Sequence, residues 1–240
     1  MPRRRYADLH IKVTSGGDAP ELLIKMAKHL GFSLIALSLD EPYELNRLGT
    51  VKGAGKDFGV DIALRLDLKP SSPKELKKCL GKFRRSVEIM AVYCYNVAVA
   101  RTAARDRRVD ITFYDPENIL SILDERQVNL LLESGHCVEV NLSDLLGISP
   151  EKQAKALWHY GLALKKVKKK GIPIIISSGA TKIVDMRAPR ELSALASIIL
   201  EDEEYAREMV SSVPLRLVQA NREKLSQSFI LPGVKVVKEW

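Results

Sequence analysis

"YADLHIKV", residues 6–13, reads as a β-strand and sets the frame for the rest of the chain. Successive strand side chains alternate between faces. Asp8, His10 and Lys12 are therefore expected on one face, with Ala7, Leu9, Ile11 and Val13 on the other. An acid and an imidazole on one strand face raise the question of a metal site.

Six further runs of the same kind follow: "LIALSL" from Leu34, "DIALRLDL" from Asp61, "EIMAVYCYN" from Glu88, "DITFYD" from Asp110, "CVEVNL" from Cys137 and "PIIISS" from Pro173. The seven starts are 28, 27, 27, 22, 27 and 36 residues apart, about one βα unit each time. The intervening segments carry helix boundaries. "APELLIKMAKHLG" has Pro20 at its start and Gly31 at its end, "SSPKELKKCLGKF" opens on Ser72 and Pro73, and a long segment runs from Ser149 to Gly171. "APRELSALASIILEDEEYAREMV" and "PLRLVQANREKLSQ" also read as helices, and no eighth strand is recognisable. The expected fold is α/β: an incomplete TIM-like (βα) barrel of about seven parallel strands with extra C-terminal helices, forming one domain over residues 1–240. A doubly wound open sheet is the alternative.

A chain of 240 residues, 46% of them hydrophobic, can bury one large core. Its longest apolar run, Ile89 to Ala100, is short of the roughly 18 residues a membrane span needs, and "MPRRRYADLH" lacks the apolar segment of an export signal. A soluble, cytoplasmic protein without a membrane partner is expected. Cys79, Cys94 and Cys137 are odd in number and lack a C-x-x-C pair, so they are read as reduced thiols. The excess of 38 Lys plus Arg over 30 Asp plus Glu, net +8, favours a polyanionic partner such as RNA.

In a βα barrel the chemistry sits at the C-terminal ends of the strands, and of four histidines only His10 lies there; His29, His136 and His159 read as surface or packing residues. The pattern D-L-H-x-K resembles the first motif of the polymerase and histidinol phosphatase family, D-L-H-x-H, with Lys12 replacing the second imidazole. Where that family has T-D-H after its second strand, this chain has Ser38, Leu39 and Asp40; in place of S-D-A-H it has Ser177, Ser178, Gly179 and Ala180. One histidine and scattered acids do not hold a multinuclear centre, and no metal site and no catalytic residue are expected. Lys12 is either paired with Asp8 or Asp40 or available to an anion. The Gly- and Lys-rich stretch at residues 49–59 lacks P-loop spacing and reads as a mobile loop.

"IISSGATKIVDMRAPRELSAL", residues 175–195, ends a final strand in S-S-G-A and continues into an acid-x-Arg-x-Pro-Arg-Glu-Leu segment. With "LRLDL", "VARTAARDRRVDITFYD" and "CVEVNLSDLL" in order before it, the chain resembles the barrel-subunit family of archaeal and eukaryotic ribonuclease P, archaeal protein component 3. The resemblance implies a non-catalytic subunit of the endonuclease that removes the 5′ leader from precursor tRNA. Hydrolysis would be carried by ribonuclease P RNA with its Mg²⁺, no cofactor would be bound by this chain, and component 2 and further protein subunits would be its partners. It also accounts for "DLHIK" as the remnant of a phosphoesterase site. Two readings compete: a metal-dependent phosphoesterase using His10, Asp40, Asp67 and other acids, and a barrel enzyme for a small sugar phosphate with "SSGA" as an anion cradle.

Phosphate contacts require clustered cations. The candidates for RNA binding are Lys12; Lys82, Arg84 and Arg85; Arg101, Arg105, Arg107 and Arg108; and Lys182, Arg187 and Arg190. The spacing of Arg101, Arg105 and Arg108 predicts one shared helix face. Arg187 is equally readable as a structural residue paired with Asp185 or capping a helix. "KKVKKKG", Lys165 to Lys170, suits a helix C-terminus and solubility, and the N-terminal arginines read as an arm or a tail. Tyr93, Tyr95 and Tyr114 are expected in the core in preference to stacking on bases.

Overall fold

A computed structural model describes residues 4–39, 51–53, 55, 57–226, 229–231 and 234–235. Seven parallel strands pair in chain order: β1 (Ala7–Lys12), β2 (Leu34–Leu39), β3 (Asp61–Leu68), β4 (Ile89–Tyr93), β5 (Ile111–Phe113), β6 (Cys137–Asn141) and β7 (Ile174–Ser177). Helices α1 (Pro20–His29), α2 (Pro73–Phe83), α3 (Val97–Arg105), α4 (Ile119–Ile122), α5 (Glu125–Ser134) and α6 (Pro150–Lys169) lie between strands, and α7 (Pro189–Leu200), α8 (Glu203–Glu208) and α9 (Ser212–Leu225) follow them. This is the expected TIM-like barrel. Two short strands, β8 (Phe229–Leu231) and β9 (Val234–Lys235), form a separate antiparallel pair.

The helix boundaries follow local chemistry. Ser72 Oγ accepts from Glu75 N and Ser149 Oγ from Lys152 N, while Pro20, Pro73, Pro150 and Pro189 occupy first turns, where no amide donor is missed. The stretch from Ala188 to Val210 is two helices instead of one: Glu201 adopts a left-handed φ of 54°, and Asp202 caps α8 by accepting from Tyr205 N. The 49–59 stretch differs from the loop expected of it, since its described residues 51–53, 55 and 57–58 are helical.

Strand alternation sorts the apolar residues into two layers. Ile35, Leu37, Leu64, Leu66, Val92, Val138, Val140 and Ile176 pack outward against the helices. Ala7, Leu9, Leu34, Ala63, Ile89, Ile111 and Ile175 fill the interior, closed at the strands' N-terminal end by Val213 and Val218 of α9. Arg222 of α9 clamps that end, donating to both oxygens of Asp61 and to Ile62 O at 2.6 to 3.0 Å.

Seven strands leave a seam between β7 and β1. At the lower end the segment before α9 fills it: Ala7 N donates to Val210 O at 2.9 Å and Ile176 N to Met209 O at 3.3 Å. At the upper end Ala180 bridges to β1, with Lys12 N donating to its carbonyl at 2.8 Å. Asp8 closes the middle, its Oδ1 accepting from Ser178 N and from His10 N, each at 3.1 Å.

Candidate functional site

The strict alternation expected of "YADLHIKV" fails at one point. β1 pairs with β2 in register at Ala7 and Asp8, slips by one residue, and resumes at Ile11 and Lys12. This bulge turns His10 and Lys12 to the interior that Ala7 and Leu9 also line, while Asp8 and Ile11 face away from it. Asp8 thus shares no face with His10 and Lys12. The bulge also leaves Leu9 O to be met from across the barrel, where Arg65 Nη1 donates to it at 2.8 Å.

Arg65 is the centre of the interior. It is fully buried, and its guanidinium donates to Asp67 Oδ1 at 2.7 Å, Glu139 Oε1 at 2.7 Å and Glu139 Oε2 at 2.6 Å. His10 stands beside it, Nε2 2.9 Å from Asp67 Oδ2 and Nδ1 2.8 Å from Asn141 Oδ1. Ser177 Oγ completes Glu139 by donating to Oε1 at 2.7 Å. β3 supplies Arg65 and Asp67 two residues apart, hence on one face; β6 supplies Glu139 and Asn141 in the same way.

Within the cluster, burial is set against pairing. Burial opposes ionisation of Glu139 and Asp67, and Arg65 outweighs it: Glu139 titrates at about 2 and Asp67 well below the carboxylate range. Burial and Arg65 also oppose protonation of His10, yet Asp67 and Glu139 prevail and raise its pKa above 6.5. His10 Nε2 lies against Asp67 Oδ2 and Nδ1 against Asn141 Oδ1, with Arg65 Nη2 3.2 Å from the same Nδ1, so the carboxylates favour the protonated ring while Arg65 opposes it.

These residues do not fit a metal centre. The carboxylates that would ligate a cation already hold a guanidinium, and among the described residues no three His, Cys, Asp or Glu side chains are arranged to take an ion. Asp40 lies outside the described residues. The "SSGA" turn is no anion cradle either: Ser177 and Ser178 are fully buried, the hydroxyl of the first is given to Glu139 and the amide of the second to Asp8.

Above the cluster, at the strands' C-terminal ends, lies a cavity of about 600 Å³. Lys12 is part of its floor, Lys152 and Lys155 of α6 stand on its rim, and Tyr93 and Phe113 form a wall with ring centroids 5.4 Å apart. Tyr95 continues that wall outward, 38% exposed and 5.9 Å from Tyr93. Tyr114 is in the outer core as expected, its hydroxyl donating to Thr112 Oγ1. His159 also reaches this cavity, with Nδ1 2.6 Å from Pro116 O; no pattern in its helix marks it for that place.

The cationic candidates divide. α3 ends at Arg105, so Arg108 stands off the helix and the three-arginine face does not form. Arg101 is held by Asp124 Oδ2 at 2.6 Å and Gln127 Oε1 at 2.8 Å, and Arg108 makes a two-point pair with Asp106. Arg84 is tied to Asp110 and Val87 O, and Arg187 caps a turn by donating to Val184 O and Met186 O instead of pairing with Asp185. Lys82, Arg85, Arg105, Arg107, Lys182 and Arg190 are exposed. At the α6 C-terminus Lys165 and Lys168 pair with Glu201 and Asp202. Lys12 is not paired with Asp8, which lies across the strand.

A seven-stranded TIM-like barrel whose centre holds the buried cluster of Arg65, His10, Asp67 and Glu139 defines the class, a βα barrel of the architecture shared by many enzymes. The chain belongs to the RNase P subunit p30 family, matched over residues 5–226. It is 30% identical over 237 residues to "Ribonuclease P protein component 3" of Methanococcoides burtonii, covering 98% of this chain and 95% of that one. Its fold matches a chain in the cryo-EM structure of archaeal ribonuclease P with mature tRNA, with a TM-score of 0.84 and 21% identity over 96% of this chain and 98% of that one. The histidinol phosphate phosphatase of Lactococcus lactis, solved with zinc, is a more distant fold relative, at a TM-score of 0.50 and 10% identity over 90% and 94% of the chains. Among the described residues no helix is long and apolar enough to cross a membrane.

Proposed function

We propose that this protein is the barrel subunit of an archaeal ribonuclease P. It assists the catalytic RNA in removing the 5′ leader from precursor tRNA, working with protein component 2 and the other protein subunits in the cytoplasm. The chain itself performs no hydrolysis and binds no cofactor; the Mg²⁺ belongs to the RNA. The observation that carries this reading is the closed cluster of Arg65, His10, Asp67 and Glu139, which spends on one another the groups a phosphoesterase would offer to metal and substrate. Exposed Lys82, Arg85, Arg105, Arg107, Lys182 and Arg190 supply the phosphate contacts.

The test is reconstitution. Precursor tRNA cleavage by ribonuclease P RNA and component 2 is expected to increase when this protein is added, and to do so equally with a His10→Gln variant shown to be folded by circular dichroism. Absence of any increase, or cleavage by the protein without the RNA, would overturn the reading.

A further inference from the structure

The cavity at the barrel mouth has features that phosphate-backbone binding on an outer surface does not require. Its volume of about 600 Å³ lies within the range of small-molecule sites. Lys12 lines it; Arg65, Asp67 and Glu139 beneath pair with one another, and the Lys12 charge acts on Asp144 within the same cavity. Lys12 makes no ion pair with any described residue. Lys152 and Lys155 face the opening from the first two turns of α6. One side is the Phe113–Tyr93 wall, two rings inclined at 33°, with the Tyr93 hydroxyl donating to Asp115 Oδ2 at 3.2 Å.

The acids limit what these cations can take. Asp115, Glu117 and Asp144 share the cavity with the lysines. A polyphosphate filling the space would be forced against them, whereas a group with one phosphate and several neutral hydroxyl or amine donors would satisfy both sets. Asp144 is the least repulsive of the three: Tyr160 donates to it at 2.8 Å, and burial raises its pKa. An aromatic wall, a cation at the floor and acceptors for hydroxyls match the three parts of a nucleotide.

We propose that the barrel mouth binds a nucleoside monophosphate group, its phosphate on Lys12 and the α6 lysines, and its base and ribose between the Tyr93–Phe113 wall and the cavity acids. The group comes either from free nucleotide or from one unstacked residue of a single-stranded RNA. The inference deepens the RNA-binding reading above and rests on it only for the second source.

Calorimetric titration of the full-length protein with AMP, UMP, GMP and CMP tests it, with adenosine and inorganic phosphate as separated halves. At least one mononucleotide is expected to bind with a dissociation constant below about 1 mM. Each half should bind tenfold or more weakly than the whole, and Lys12→Gln and Tyr93→Leu should each weaken binding tenfold or more, with exposed Lys74→Ala as the unaffected control. If either variant unfolds, Lys152→Gln combined with Lys155→Gln, both on the rim of an outer helix, replaces it. Competition by a short single-stranded RNA separates the sources. Displacement of the mononucleotide supports an RNA residue; binding without displacement supports free nucleotide, with the site upheld. Failure of every mononucleotide to bind, together with RNA binding that Lys12→Gln and Tyr93→Leu leave unchanged, overturns the site while leaving the RNA-subunit reading intact.

Discussion

Arg65 and Glu139 face each other across the barrel interior in a two-point pair, Nη1 to Oε1 at 2.7 Å and Nη2 to Oε2 at 2.6 Å, with neither side chain exposed. A point cation could not meet both oxygens and also reach Asp67 and Leu9 O; the planar fork does so from one position.

The first prediction follows from that geometry. Arg65→Met leaves Asp67 and Glu139 buried without their main cation, and should destabilise the protein by about 3–5 kcal/mol in urea denaturation. Adding Glu139→Gln to the same chain should recover part of the loss, because one of the stranded charges is gone. Arg65→Lys should fall well short of wild type. Equal, small effects for all three would show that the cluster contributes little to stability.

Two histidines make opposite demands on pH. His10 has a native pKa above 6.5, so its contribution is full below the unfolded value and is lost as pH rises through the native one. His136 is buried with neither ring nitrogen hydrogen-bonded, and burial pushes its pKa down to about 4. Between 6.5 and 4 the unfolded chain takes up a proton that the native state refuses, so His136 costs stability as pH falls. Relative to wild type, His136→Leu should gain about 2 kcal/mol on going from pH 8 to pH 5, from 1.36 kcal/mol per pH unit below 6.5. Denaturant titrations at the two pH values check this; a gain of the same size at both would mean that His136 does not titrate.

The barrel was legible because its signals are local. Seven apolar runs, each followed by a helical pattern or turn residues, repeat along the chain, and all seven strands lie within them. The centre was not. "DIALRLDL" places Asp61, Ala63, Arg65 and Asp67 on one face, and a buried arginine two residues from an aspartate on the interior face of a strand is the signal of the cluster. Its partner Glu139 comes from a strand 74 residues away, a pairing that only barrel closure brings about. The bulge in β1 was invisible for a related reason, since register depends on the neighbouring strand. The three-arginine face failed at a helix end: Asp106 leaves helical geometry and captures Arg108.

The cationic surface yields the third prediction, for RNA binding measured across salt concentrations. Arg105 and Arg107 are exposed, so replacing both by Ala should reduce the slope of log K against log salt by roughly 0.7 to 0.9 for each phosphate no longer neutralised. Arg101 and Arg108, already held by Asp124 and Asp106, should alter that slope little when replaced. The reverse pattern would move the interface to the paired arginines.

The seam between β7 and β1 provides the last prediction. Gly179 has a φ of 64°, and a Cβ added there would collide with Ser143 Oγ and lie 3.0 Å from Ser143 Cβ and 3.1 Å from Asn141 Cβ. Left-handed strain and overpacking therefore act together, and Gly179→Ala should cost about 2 kcal/mol or more. Ser143→Ala in the same chain removes the clashing hydroxyl and leaves the backbone strain, so it should restore only part of the stability. Asn141, pressed by the same Cβ, holds His10, and the disturbance should reach the cluster as a lowered His10 pKa in NMR titration. Loss of stability with an unmoved His10 titration would mean that the seam and the ionic centre yield independently.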